Sequence, residues 1–100
     1  MSKNYIKSIF ETIKAYHERD PYDGDSWIYS DDKNMISQLK ELILNENPFG
    51  WTLWEETENV FSFSDMSNEN CILTTNKEIF GQAPLWAGLK IIIGPVPDKI

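Results

Sequence analysis

A single cysteine, Cys71, and a single histidine, His17, make up all the thiol and imidazole chemistry in these 100 residues. One cysteine forms no internal disulfide, so nothing calls for an oxidising compartment. One His and one Cys make a zinc site only with two carboxylates, and no ligand spacing here supplies them. The five glycines are scattered at positions 24, 50, 81, 88 and 94, which excludes a glycine-rich phosphate loop. No segment approaches the roughly 20 apolar residues of a membrane span. The opening "MSKNYIKSIFETIKAYHERD" lacks the unbroken apolar stretch of a signal peptide. Asn-x-Ser/Thr acceptor sites are missing too. These absences lead to the expectation of a cytoplasmic protein without metal or cofactor.

Positive charge is absent from two long stretches. Residues 20–32 hold five aspartates and no Lys or Arg; residues 50–70 hold Glu55, Glu56, Glu58, Asp65 and Glu69, again with no Lys or Arg. The two blocks together carry −10 and the rest of the chain +3, so the net charge of −7 comes from these blocks. Phosphate contacts need clustered Lys and Arg, which disfavours direct binding to nucleic acid. Anionic membrane surfaces are disfavoured for the same reason.

What is present is ample for folding. A hydrophobic fraction of 41% with 13% aromatics argues for a globule and against disorder. One hundred residues suit one domain, expected to span 1–100. Ile6, Ile9, Phe10 and Ile13 recur at helical spacing, which predicts an amphipathic helix over 3–19, ended by Asp20-Pro21. A second helix is predicted from a cap at Asp31 or Asp32 to about Asn45, with Ile36, Leu39, Leu42 and Ile43 on one face. The acidic stretch between them, "DPYDGDSWIYSDD", is expected to form a loop. After Gly50 the period shortens. "WTLWEE", "NVFSFSD", "NCILTTN" and "GLKIIIGPVP" read as strands joined by polar turns, and "EIFGQAPLWAG" as a packed loop. Helices followed by strands predict an α+β fold, with two N-terminal helices on one face of a four- or five-stranded antiparallel sheet. Parallel pairing is not expected, since it needs crossover helices that the second half lacks.

The acidic stretch invites three readings: a metal loop, a catalytic acid cluster, or a surface for a cation. An EF-hand with Gly24 at its sixth position puts Arg19 first, Pro21 third and Ser30 twelfth, leaving only Asp23 where a ligand is needed. That excludes the EF-hand; a looser ion site on Asp23 and Asp25 is the remainder. A Cys71–His17 nucleophile would need the two adjacent and a third group to orient the imidazole. Cys71, beside Ile72 and Leu73, reads instead as a buried small hydrophobe, and His17 as a helix cap or surface residue. Paired carboxylates such as Asp25 and Glu56 define a small hydrolase as one alternative.

The constellation with most behind it is acid interleaved with aromatic rings. Tyr and Trp are enriched at binding hot spots, and carboxylates around them speed encounter with a basic partner. The candidate contact residues are Asp23, Asp25, Trp27, Tyr29, Asp31, Glu55, Glu56 and Glu58; Trp51, Phe61 and Phe63 are assigned to the core. In size, charge and aromatic content the chain resembles bacterial immunity proteins, which neutralise a cognate toxin by docking acidic and aromatic side chains on it. The resemblance implies a non-enzymatic inhibitor of a basic protein such as a nuclease toxin. It carries no motif and so assigns no residue. A nucleic-acid-mimicking antagonist of a defence or restriction system is the nearest alternative. Self-association through Leu89 to Ile93 at a sheet edge is a structural one.

Overall fold

The structure, a computed structural model, describes residues 2–19, 25–64, 70–84 and 88–93. In chain order the elements are α1 (Ser2–Arg19), β1 (Asp25–Tyr29), α2 (Lys33–Glu46), β2 (Thr52–Glu56), β3 (Val60–Ser64), β4 (Asn70–Thr74), α3 (Lys77–Phe80) and β5 (Leu89–Ile92). The class is α+β, with one five-stranded sheet in the order β2-β3-β4-β1-β5.

Both long helices form where the apolar period predicts them. In α2 the boundary is set by chemistry: Asp32 caps the start, its Oδ1 accepting the Asn34 backbone N–H at 2.9 Å. Asn47 ends it in the left-handed region at φ 36°, donating its N–H to Ile43 O. The Asn47 side chain then brackets the backbone of Trp51, accepting from its N–H at 2.8 Å and donating to its carbonyl at 3.2 Å. Ile6, Ile9, Phe10 and Ile13 of α1 join Met35, Ile36, Leu39 and Ile43 of α2 in one buried cluster. Ile28, Phe63, Cys71, Leu73, Trp51 and Ile93 complete it. At about 1.5–3 kcal/mol for each large apolar side chain, this cluster is the main driving force for folding.

The sheet corrects the expectation of purely antiparallel pairing. β2, β3 and β4 are antiparallel, but β1 runs parallel to both β4 and β5. Two crossovers make this possible. α2 with the β2–β3 hairpin separates β1 from β4, and residues 75–88, including α3, carry the chain from β4 past β1 to β5. α3 itself corrects the packed loop predicted over "EIFGQAPLWAG": Asn76 Oδ1 accepts from the N–H groups of Glu78 and Ile79 and nucleates one short turn. The largest correction concerns the acidic stretch. Residues 25–29 are not loop but strand β1, lying between β4 and β5.

Alternation along the strands assigns the two faces. Ser26 and Ile28 of β1, Cys71 and Leu73 of β4, and Phe61 and Phe63 of β3 point into the core cluster, Phe61 only partly buried at its margin. Asp25, Trp27 and Tyr29, Asn70 and Ile72, and Val60 and Ser62 therefore occupy the other face. Just before β5, Gly88 sits so close to Tyr16 of α1 that a side chain there would require the Tyr16 ring to shift.

Candidate functional site

On the face turned away from the core lies a groove of about 410 Å3. Its lining comes from Asp25 and Trp27 of β1, Trp54 and Glu55 of β2, Val60 and Ser62 of β3, Asn70 and Ile72 of β4, and Ile79 and Gln82 in and after α3. Among the described residues, the charged side chains that line it are Asp25 and Glu55, and no Lys or Arg does. By register, Glu55, Ser62, Ile72, Trp27 and Lys90 form one row across the five strands. Glu55 and Trp27 thus stand three strand spacings apart, roughly 14 Å at ~4.8 Å each. No single small cation spans that gap, so the groove has two separate walls above an apolar floor of Val60 and Ile72.

The walls differ. On the β1 side Asp25 is nearly buried, at 8% exposure, and its Oδ1 accepts from Asn70 Nδ2 at 3.1 Å. The Trp27 indole N–H is buried with no hydrogen-bond acceptor among the described residues. Lys90 follows Trp27 in the row, on the same face and exposed. The β2 side is open. A β-bulge between Leu53 and Glu55 inserts one residue against β3. Leu53 keeps its contact with the core, while Trp54 and Glu55 both line the groove. Trp54 is 58% exposed, a large ring left in solvent. Glu55 Oε1 accepts from Ser62 Oγ at 3.1 Å, which orients the carboxylate over the floor.

Of the residues predicted from sequence to make contacts, Asp25, Trp27 and Glu55 meet in this groove. Tyr29 shares the face but is covered by Phe80, their ring centroids 5.7 Å apart. Asp31 is exposed at the turn into α2 and lines no part of the groove. Glu56 and Glu58 lie outside the groove lining. After the bulge Glu56 faces α2 and pairs with Lys40 at 3.4 Å; Glu58 pairs with Lys33 at 3.8 Å. Lys40 also lies 4.8 Å from the centroid of the Phe61 ring. Both glutamates are therefore paired with lysines of α2, which adjoins the β2–β3 hairpin in space. Asp23 lies outside the described residues. Trp54 is the aromatic groove residue left out of the predicted contact set, because its exposure follows from the bulge and not from its place in "WTLWEE".

His17 corrects the sequence reading: it is buried at 1% exposure, not a cap or surface residue. Its Nε2 shares a 2.8 Å hydrogen bond with Ser26 Oγ. The ring is boxed by Tyr16, Phe49 and Trp51, the last at a centroid distance of 4.8 Å. Ser26 also bonds the Cys71 thiol, and burial pushes that thiol up to about 12. His, Ser and Cys are thus gathered, but Ser26 and Cys71 have no exposed surface and the thiol stays protonated at neutral pH. The cluster acts as polar mortar between α1, β1 and β4.

Among the described residues no group of three His, Cys, Asp or Glu is placed to hold a metal ion, and no helix is long and apolar enough to cross a membrane. A larger hollow of about 550 Å3 is lined by both α1 and α2, over Ile6, Phe10 and Leu42. Its rims mix Lys7 and Lys14 with Glu11, Glu41 and Glu46, so its charge selects no class of ligand. Comparison with protein-family models, with curated proteins and with solved structures finds no match to this chain.

Proposed function

We propose that this chain is a small acidic binding protein that neutralises a basic macromolecule, most plainly an immunity-type inhibitor of a nuclease-like toxin. In this reading α1 and α2 cover one face of the sheet and the groove face meets the target. The observation that carries it is the convergence of residues from both acidic blocks, Asp25 with Trp27 and Glu55 with Trp54, in a groove that no Lys or Arg among the described residues lines. A cleft built to hold phosphate presents Lys and Arg, and carboxylates beside aromatic rings complement such a cleft in charge while the rings supply buried area. The rigid sheet beneath them keeps the ordering cost of binding low.

The test has two stages. The chain is used to capture partners from its native cell at low and raised salt, and each captured protein is purified and its affinity measured alone. A basic partner whose binding weakens with salt, and weakens further in Asp25→Asn and Glu55→Gln, supports the reading. Binding that ignores both salt and these substitutions contradicts it.

One observation favours a second reading, self-association. β5 is an edge strand whose Ile92 is 66% exposed. Sedimentation of the purified chain, with Ile92→Lys as the control, separates a β5-mediated dimer from a monomer.

A further inference from the structure

The open wall of the groove has a more specific chemistry than negative charge. We infer that Trp54 and Glu55, brought together by the β2 bulge, form an anchor for one arginine side chain of the partner. This inference rests on the proposed use of the groove face.

A regular strand would send Trp54 and Glu55 to opposite faces. The register shift between Leu53 and Glu55 breaks that alternation, and both side chains line one groove. Bulges commonly re-aim a side chain in this way beside functional sites. The result is a tryptophan, 58% exposed, next to a carboxylate whose one oxygen is already held by Ser62. Glu55 Oε2 has no protein partner among the described residues. A guanidinium suits this pair on two counts. Its plane stacks on an indole, and its fork of N–H donors meets a carboxylate edge-on. A lysine ammonium is a compact, strongly hydrated charge and satisfies only the second. The apolar floor of Val60 and Ile72 receives the arginine methylenes. The far wall, with Asp25 nearly buried and Lys90 in its row, is too closed and too distant to share the same cation.

Acetyl-arginine-amide, acetyl-lysine-amide and the neutral acetyl-citrulline-amide are titrated separately into the full chain, with the indole N–H resonances of the tryptophans as reporters. The arginine probe is expected to shift the Trp54 signal saturably. Lysine should bind roughly two- to fivefold more weakly, the size of an exposed cation–π contact, and citrulline should give no saturable shift. Glu55→Gln should weaken the arginine probe several-fold, Trp54→Ala should remove the preference over lysine, and Glu58→Gln should change nothing. Trp54 and Glu55 are exposed, and a urea melt of each variant confirms that the fold is retained. Citrulline matching arginine, or arginine binding indifferent to both Glu55→Gln and Trp54→Ala, overturns the anchor. The partner's affinity for the same variants keeps the two proposals apart. Partner binding lost in the variants without any arginine site overturns the anchor and leaves the face. Arginine binding intact with partner affinity unmoved by the variants overturns the face.

Discussion

The two acidic blocks look alike in sequence and have different fates. The first enters the sheet: Asp25 to Tyr29 become strand β1, and Asp25 is buried against Asn70. The second supplies strands β2 and β3 and the turn between them, where Glu55 turns to the groove while Glu56 and Glu58 pair with lysines of α2. A run of like charge is therefore no unit of function. Each carboxylate takes its role from the face of the strand it occupies and from the cations that tertiary structure brings near it. Of the seven predicted contact residues that the structure describes, Asp25, Trp27 and Glu55 line the groove.

The most disruptive way to break this comparison is to remove an inward residue of β1. Ile28 has no exposed surface, and Ile28→Ala should lower unfolding free energy by about 2–5 kcal/mol in urea denaturation. Were β1 the loop that its acidic flanks suggest, the change would be small.

Next in size is an alkaline effect at the polar cluster between β1 and α1. Burial raises the Cys71 thiol from 9.0 to about 12, so above pH 9 the unfolded chain loses a proton that the folded chain keeps. The stability contributed by this group is complete below pH 9 and is lost as pH rises toward 12. The slope should be about 1.4 kcal/mol per pH unit. Cys71→Ala should flatten that limb, whatever it does to stability at neutral pH. An identical alkaline slope in the variant would show that the thiol is not held in its neutral form.

The smallest effects belong to the second block. Glu56→Gln and Glu58→Gln remove exposed ion pairs with Lys40 and Lys33 and should each cost no more than about 1 kcal/mol, less at high salt. Of the two, Glu56 should matter more, since its partner Lys40 is only 14% exposed. Larger losses would mean that the second block stabilises the fold and that its acidity needs no partner to explain it.

Much of the architecture was legible because it rests on periodicity. The apolar faces of α1 and α2, the Asp32 cap, and the alternation of Phe61 and Phe63 with serines are local signals, and each produced the element it predicts. β1 was not legible because Asp25 and Ser26 are poor strand formers set among turn residues. Trp27-Ile28-Tyr29, a β-branched residue between two aromatics, was the available clue. Strand direction was hidden too, since a four-residue α3 gives no periodic signal of a crossover. In the groove, the pairing of acid with tryptophan was visible along the chain. The bulge was not, because a register shift depends on what lies opposite. The lysines that neutralise Glu56 and Glu58 come from α2, well back along the chain, and local charge counting does not see them.

The most direct test of the groove as a binding surface compares two charge reversals within the second block. Glu55→Lys changes a carboxylate that lines the groove, and Glu58→Lys one that does not, with the same change in net charge. Affinity for the purified basic partner, measured at one ionic strength, should fall at least about tenfold (~1.4 kcal/mol) for Glu55→Lys and far less for Glu58→Lys. Equal losses would mean that only total charge is recognised, and the groove would have no special part in binding.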